Sequence, residues 1–444
     1  MTNGTRSPVI AVLGASGLLG EAICSFLSAH GHDVVPIARR FTPVQEAMWR
    51  DIAVRFSLVE ADGSSLAEAL AATKADVFVN CVGALQDTLG SSASDANRDF
   101  VARLTCAMKG LERPALLVHV SIPGHPDDDL TEFSRSKRAA EGVIAQAGQP
   151  FVILRPGFVL ADAAFGGSAL MRALAVWPID LPDNLARRPF AVTDVRDIGR
   201  SVAFLAKEWV AGRRNWCATW DVMAEDASTV GSVVSSLRDR FAGPKRRITA
   251  PRWSLAIASR AGDLVSNLGW RPPVRTTALA EMTRGVLGDP GPWRQATGIE
   301  PRSGTAIIGS CAATVQERWF ARLYLLKALV FASLALFWIV SGTIAIMVSF
   351  DAATRILTEH GFGQGLARSV TVASSLMDIA VGMLIATRRT CRFGLLAGIS
   401  VSLFYMVSAA VVTPELWIEP LGALVKTAPA IVLMTVGLAV LDER

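Results

Sequence analysis

The sequence predicts an α/β domain with a doubly wound parallel sheet, followed by a four-helix transmembrane bundle. Short apolar strands and amphipathic helices alternate through the first half of the chain, and four long apolar stretches follow Trp319. Of the 444 residues, 51% are hydrophobic and 19% are charged, and the average soluble protein carries about a quarter charged residues. We therefore expect an α/β domain at 1–250, linking helices at 251–317 and a membrane domain at 318–444.

The charge and cysteine patterns argue against several classes of protein. The net charge is only +5 and no dense basic stripe is present, which argues against nucleic acid as a partner. Six cysteines are scattered without a CxxC pair, so we predict neither a disulfide framework nor a metal site. The apolar run Val9–Leu13 is too short for the core of a secretory signal.

The first strand leads directly into a glycine-rich turn. Val9–Leu13 is followed by GASGLLG and then by a helical pattern, in the order that dinucleotide-binding folds require. Gly14 would permit the tight turn, Gly17 would let the backbone approach a pyrophosphate, and Gly20 would let the helix pack on the strand. The phosphates would meet free N–H groups at the helix N-terminus. The alternative is a glycine turn without a ligand.

The second strand, Asp33–Ala38, ends in two arginines, Arg39 and Arg40. An acidic residue at this point binds the ribose hydroxyls of NAD, whereas arginine suits the 2′-phosphate of NADP. The sequence therefore favours NADP, with NAD as the other possibility. A solvated pair of surface arginines is the structural alternative.

The alternation continues along the chain. Strands are predicted at Val54–Glu60, Asp76–Val82, Ala115–Ser121 and Phe151–Arg155, with helices at Ser64–Thr73, Asp95–Arg113 and Thr131–Gln146. Ligands of such sheets bind at the carboxyl ends of the strands. The residues predicted at those ends are Asp62, Cys81, Val82, Gly83, Ser121, Arg155, Pro156 and Gly157.

Five motifs carry a family resemblance. GASGLLG, NCVGALQD, VSIPG, SRSKRAAE and ILRPGFVL resemble the atypical short-chain dehydrogenase/reductases (SDRs), over about Pro8–Lys207. They are most similar to the branch related to the accessory Rossmann subunit of respiratory complex I. The resemblance implies an NAD(P)-binding Rossmann domain with oxidoreductase chemistry. It places Gly14, Ser16, Gly17, Leu18 and Leu19 at the pyrophosphate, Arg39 at the adenosine phosphate, Asp62 by the adenine, Cys81–Gly83 along the cofactor, Ser121 as active-site serine and Lys137 at the nicotinamide ribose.

One position departs from that family. Its catalytic pattern is Tyr, three residues and Lys, but Phe133 lies four before Lys137. Phenylalanine has no hydroxyl to donate or accept a proton. His119 and His125 flank Ser121 and are candidate acid/base groups, or else a packed strand residue and a loop residue. Cofactor binding is thus predicted more firmly than hydride transfer.

The middle of the chain carries weaker signals. Asp197 is expected to cap a helix, and Phe165–Ser168 is a candidate substrate loop. Trp253 and the apolar positions up to Leu268 predict a helix that lies either on the bilayer surface or within a substrate domain.

Four apolar stretches are long enough to cross about 30 Å of hydrocarbon. The first is preceded by Arg318 and Arg322, the link after the second holds Arg388, Arg389 and Arg392, and the link after the third carries only acids. The positive-inside rule then places both termini in the cytoplasm, in a multi-pass protein of the cytoplasmic membrane. A soluble all-helical domain is the alternative. The stretches are about Leu323–Val348, Leu366–Thr387, Phe393–Thr413 and Leu421–Leu441.

Gln316–Arg444 resembles DoxX-like membrane domains, notably in LWIEPLGALVKTAPAIVLM. The resemblance implies a link to quinone-related redox membrane proteins. Asp378 and Lys426 lie within predicted spans, where ionisable groups are costly. They would form an ion pair, or Lys426 would extend to the interface while Asp378 bonds a neighbouring helix.

Two hypotheses for function follow. The first is a membrane-tethered NAD(P)-dependent oxidoreductase that acts on an apolar quinone- or isoprenoid-like substrate delivered from the lipid bilayer. The second is a non-catalytic dinucleotide-binding, redox-sensing or assembly module of a membrane redox complex, which Phe133 favours.

Overall fold

The computed structural model describes residues 6–85, 93–226, 228–418, 422 and 424–442. Two compact units are present. The first contains Met1–Asp263 and Pro273–Ala321, and the second contains Leu264–Pro272 and Arg322–Arg444. Most of the segment expected as a linker, 251–317, lies in the first unit.

The strands and helices of the first unit alternate as the sequence predicts. The strands are β1 (Val9–Leu13), β2 (Asp33–Ala38), β3 (Val54–Arg55), β4 (Val77–Asn80), β5 (Leu116–Val120), β6 (Phe151–Pro156), β7 (Phe158–Leu160), β8 (Ile179–Asp180), β9 (Val192–Asp194), β10 (Cys217–Val222) and β11 (Ile248–Thr249). The helices up to the first predicted span are α1 (Leu18–Ala29), α2 (Pro43–Met48), α3 (Gly63–Thr73), α4 (Phe100–Lys109), α5 (Glu132–Gln146), α6 (Gly167–Val176), α7 (Asp183–Ala186), α8 (Val195–Val210), α9 (Val230–Arg240), α10 (Arg252–Ser266), α11 (Thr276–Arg284), α12 (Gly291–Thr297) and α13 (Gly304–Ser310).

Seven parallel strands form the main sheet in the order β10-β6-β5-β4-β1-β2-β3. The order changes direction between β1 and β4, which is where ligands of doubly wound sheets bind. Leu13, the last residue of β1, pairs with Ile37 of β2 and Asn80 of β4. The turns that follow β1 and β4 therefore lie at the same edge of the sheet, and the predicted fold class is confirmed.

Late helices complete the core of this unit. Trp293 of α12 is fully buried in the cluster that also contains Trp209 of α8, and its indole N–H donates to Ser201 Oγ at 2.9 Å. Ile307 and Ile308 of α13 are also buried. The fold thus depends on residues about 140 positions beyond the sixth strand.

Two local predictions are wrong. The expected strand Val54–Glu60 is only Val54–Arg55, and the chain turns before Asp62. Asp194 rather than Asp197 caps α8, because its side chain accepts from the Arg196 N–H at 2.9 Å. Asp197 instead pairs with Arg200 at 2.8 Å.

The second unit contains α14 (Val315–Met347, which begins in the first unit), α15 (Phe350–Glu359), α16 (Gln364–Ala386), α17 (Cys391–Val412) and α18 (Thr427–Val440). Among the described residues, α14, α16 and α17 are long and apolar enough to cross a membrane. The fourth predicted span, Leu421–Leu441, contains the 14-residue apolar helix α18, and Leu421 and Ala423 lie outside the described residues.

Glycines allow close packing within this second unit. A methyl group on Gly342 would lie 2.4 Å from Ser375 O, and one on Gly382 would lie 2.8 Å from Ala335 O. Small residues at helix contacts are typical of membrane bundles, because they let the backbones approach.

Candidate functional site

The glycine-rich turn has the geometry that an anion site needs. Gly14 has φ +82°, and a methyl group on Gly20 would lie 2.3 Å from Gly14 O. Gly17 is the N-cap of α1 and supplies no side-chain cap. The first N–H groups of α1, from Leu18 and Leu19, therefore lack intrahelical acceptors at this end. Ser16 lies in the same turn, and its carbonyl accepts from Gln45.

The turn after β4 is held by two buried polar side chains. Asn80 Oδ1 accepts from the Val82 N–H at 2.9 Å, and Asn80 Nδ2 lies 3.0 Å from His119 Nδ1. His119 is fully buried, and burial holds its pKa well below the usual range, with Lys137 acting in the same direction. His119 is therefore a neutral packing residue that orients Asn80, rather than an acid/base group.

Burial also acts on the thiol of Cys81. Desolvation raises the pKa of its thiol to about 12, against the opposing effect of Lys137. Cys81 and Val82 line the first part of this turn, and a methyl group on Gly14 would lie 3.1 Å from the Val82 nitrogen. The two predicted cofactor turns are thus in contact.

Lys137 reaches the same turn from α5. Its Nζ donates to Val120 O at 3.0 Å, and a methyl group on Gly83 would lie 2.8 Å from Nζ. Burial lowers the pKa of Lys137 to about 8, while Cys81 and Glu141 act in the opposite direction. The amine can therefore hold or release a proton close to neutral pH.

Ser121 lies at the end of β5, next to a buried ion cluster. Arg155 and Arg138 both bind Glu141, with Arg155 Nε 2.9 Å from Glu141 Oε1. Burial opposes ionisation of Glu141, but the hydrogen bonds from Arg155 and the charges of Arg155 and Arg138 outweigh it and lower the pKa of this carboxyl. The cluster holds the end of β6, where Pro156 is buried, whereas the buried Ser121 Oγ has no hydrogen-bond partner among the described residues.

Phe133 is half-buried on the first turn of α5. Residues four apart share one face of a helix, so Phe133 occupies the place of the family's tyrosine relative to Lys137. His125 offers no substitute, because it is exposed and its Nδ1 accepts from the Asp127 N–H. Of the residues predicted to act on the substrate, Lys137 and Ser121 therefore carry the available protons, on an amine and a hydroxyl.

The residues predicted at the adenosine end are all exposed. Arg39 pairs with Glu60 at 3.0 Å, and Arg40 lies beside it at the end of β2. Asp62 caps α3 by accepting from the Ser65 N–H at 2.8 Å, and this bond lowers its pKa. Its carboxylate already has a structural role, so an adenine contact there remains a prediction.

Asn97 also supports the turn after β4, and the sequence analysis did not predict it. It lies in a π-helical turn, Asp95–Asp99, that precedes α4, and such turns are frequent at functional sites. Its side chain holds both backbone groups of Ala84, at 3.0 and 2.9 Å, and donates to Ser136 Oγ at 3.0 Å. A π-turn has no simple sequence signal, so spacing could not have revealed it.

In the second unit, the predicted ion pair between Asp378 and Lys426 is wrong. Asp378 accepts a 2.9 Å hydrogen bond from the hydroxyl of Tyr405 on α17. Lys426 is exposed at the start of α18. Of the two alternatives, Asp378 bonding to a neighbouring helix is confirmed.

Comparison with known proteins identifies both parts of the chain. Residues 10–163 match the NAD-dependent epimerase/dehydratase family, and residues 335–435 match the DoxX-like family. The chain therefore combines an SDR-type Rossmann domain, resembling those of NAD-dependent dehydrogenases and epimerases, with a DoxX-like domain whose apolar helices indicate a membrane protein.

Two curated relatives are similar to the first half. A dTDP-6-deoxy-L-talose 4-dehydrogenase (NAD(P)(+)) from Kitasatospora kifunensis is 27% identical over 179 residues, covering 36% of this chain and 55% of its own length. The mitochondrial NADH dehydrogenase [ubiquinone] 1 alpha subcomplex subunit 9 of Dictyostelium discoideum is 26% identical over 164 residues, covering 36% and 44%. The chain thus spans about half the length of these relatives.

Solved structures share the fold. UDP-glucuronic acid 4-epimerase from Bacillus cereus, in complex with UDP-glucuronic acid and NAD, has a TM-score of 0.50 at 13% identity, covering 71% of this chain and 99% of that chain. The structure of gox2253 gives a TM-score of 0.52 at 16% identity, covering 71% and 99%. At these identities the likeness establishes the fold alone.

Proposed function

We propose that this protein is a membrane-tethered NAD(P)-dependent oxidoreductase that acts on an apolar acceptor of the quinone class. The observation that carries the proposal is the position of Lys137 Nζ, which is buried and faces Gly83 beside the glycine turn. Gly14, Ser16, Gly17, Leu18 and Leu19 would hold the pyrophosphate at the N-terminus of α1. Lys137 would bind the nicotinamide ribose beside Cys81–Gly83.

The missing tyrosine hydroxyl guides the choice of substrate. A bound reduced nicotinamide would supply a hydride, and a quinone needs that hydride and one proton to become a hydroquinone. Lys137 is buried yet holds a proton near neutral pH, and Ser121 would orient the acceptor oxygen. A quinone also suits the DoxX-like domain and the word ubiquinone in the name of one relative. An isoprenoid-like carbonyl compound is the other apolar substrate we consider.

We assign NADP as the preferred cofactor, with NAD also accepted. Arg39 and Arg40 lie exposed at the end of β2, where a 2′-phosphate would lie. Glu60 competes for Arg39 through the 3.0 Å ion pair. Glu60→Gln should therefore tighten NADPH binding with little effect on NADH, and Arg39→Ala should weaken NADPH binding alone; calorimetry with both nucleotides measures the two effects.

The decisive experiment follows absorbance loss of NADPH with a short-chain quinone, using the full chain in detergent. Lys137→Met should abolish turnover, because the Nζ atom that it removes is both the proposed proton donor and the proposed contact to the nicotinamide ribose. Lys109→Met, at an exposed lysine of α4, is the matched control and should keep full activity. Equal turnover in the Lys137→Met and parental proteins would refute the assignment.

A second function is favoured by Phe133 and by the similarity to an NADH dehydrogenase [ubiquinone] subunit. A non-catalytic module would bind a dinucleotide and dock on a membrane redox complex, in the cytoplasmic membrane with both termini inside. Tight NADPH binding without turnover on any quinone or apolar carbonyl would support this alternative. Phe133→Tyr should then create activity toward a simple carbonyl, since it restores the hydroxyl four residues before Lys137.

A further inference from the structure

Helix α10 has its apolar residues on the outside. Trp253 is 65% exposed, Ile257 59% and Leu264 70%, and their spacing of four and seven residues places them on one face of the helix. Ser259 and Gly262 occupy the opposite, buried face. This arrangement is the reverse of a helix that belongs only to a soluble fold.

The buried face of α10 prevents the helix from rotating about its axis to bury its apolar side chains. A methyl group on Gly262 would lie 2.0 Å from Val274 O, so only glycine permits this approach of the two backbones. Ser259 Oγ donates to Ala256 O at 3.1 Å and so satisfies its own polar group within the helix. The small residues therefore fix the inward face, and Trp253 and Ile257 must point away from the unit.

Exposed cations precede α10 along the chain, and one lies on the helix itself. Lys245, Arg246 and Arg247 precede β11, and all three are exposed. Arg247 is engaged by Asp180 at 3.0 Å. Ile248, between these cations and α10, is 76% exposed, and Arg260 is exposed on the helix. Apolar and aromatic side chains bordered by lysine and arginine are the pattern of a helix that lies in the interface of an anionic bilayer.

We propose that one surface of the first unit docks on a bilayer that contains anionic phospholipid. This surface, called the α10 surface, consists of Lys245, Arg246, Ile248, Trp253, Ile257 and Arg260. Two observations select lipid over a protein partner. The charge complements phosphate head groups, and the same chain carries three helices long and apolar enough to cross a membrane, the first beginning at Val315. Trp253 would sit at the head-group level, where tryptophan is enriched.

The test is spin labelling of the full chain in vesicles of phosphatidylcholine and phosphatidylglycerol. The exposed Cys106 and Cys217 are replaced by serine, and a label is attached through Ile257→Cys. Val44→Cys is the matched control, since Val44 is an aliphatic residue of the first unit that is 69% exposed. Collision with oxygen, which partitions into lipid, is compared with collision with a water-soluble nickel chelate.

We expect the label at position 257 to collide more often with oxygen than with the nickel chelate, and the label at position 44 to show the reverse. Vesicles of phosphatidylcholine alone, or the change Lys245→Glu with Arg246→Glu, should reduce the ratio at 257 several-fold. Should Ile257→Cys fail to fold, Trp253→Cys tests the same face. A label at 257 that reports water as at 44 overturns the proposal. So does shielding from both reagents with spin–spin broadening, which would mean that a second copy of the chain covers this face.

Discussion

Replacing Lys137 by methionine should stabilise the protein at neutral pH while abolishing its proposed activity. The pKa of this lysine falls from 10.5 to about 8 on folding because the ammonium is buried. That difference corresponds to about 3 kcal/mol of unfavourable burial of charge. The variant also loses the hydrogen bond to Val120 O, which costs about 1 to 3 kcal/mol when the acceptor is buried.

At pH 7 the two effects together should raise the free energy of unfolding of the Lys137→Met variant by roughly 1 kcal/mol. For a unit of this size that corresponds to about 2 °C in melting temperature. The sign depends on pH. Between about 8 and 10.5 the unfolded parental chain binds the proton more strongly than the folded one, so the parental protein becomes more stable as the pH rises. Above 10.5 the variant has lost only the hydrogen bond and should be the less stable of the two.

Melting curves from pH 7 to pH 11, in detergent, measure this crossover. Lys109→Met, at an exposed lysine, should show no change of sign. A Lys137→Met protein that melts lower than the parent by the same amount at every pH would refute the reasoning, because it would mean that the ammonium is not buried at a cost.

Three further predictions concern the glycine turn, the cap of α8 and the second unit. Gly20→Ala should prevent folding of the first unit or abolish nucleotide binding, since its methyl group would lie 2.3 Å from a backbone oxygen; circular dichroism and calorimetry report the two outcomes, and normal binding would contradict it. Asp194→Ala should lower the free energy of unfolding by about 2 kcal/mol or more, because it removes a buried helix cap and ion-pair partner. Asp197→Asn should change it little, because burial already raises the pKa of that carboxyl. Equal losses for the two variants in thermal melts would argue against Asp194 as the cap. Tyr405→Phe should destabilise the second unit by about 1 kcal/mol, because it removes the hydrogen bond to Asp378. Lys426→Met should leave the melting temperature unchanged. A lower melting temperature for Lys426→Met than for Tyr405→Phe would refute the pairing of Asp378 with Tyr405.

The sequence was most informative where chemistry requires one residue type. Gly14 and Gly20 could be assigned from spacing because a positive φ and a close backbone approach admit little else. The order of strands and helices could be predicted from apolar periodicity, because each type of element buries residues at its own spacing. Phe133 was also visible in the sequence, since a residue four before Lys137 must share its face of the helix.

Contacts between distant segments were beyond sequence reasoning. Asn97 reaches the site through a π-turn, and Asp378 finds its partner on another helix, so neither pairing leaves a periodic signal. Asp194 and Asp197 are both plausible caps by residue type. The choice depends on where the preceding strand ends, and boundaries are the least regular feature of a chain.

The buried position of Trp293 has a consequence for the order of events during synthesis. The sheet is complete by Val222, but Trp293 of its core is made about 70 residues later, and the buried Ile307 and Ile308 are made just before the first long apolar helix. Domains generally fold as units as the chain emerges. Completion of the first unit and synthesis of a helix long and apolar enough to cross a membrane therefore fall at nearly the same moment of translation.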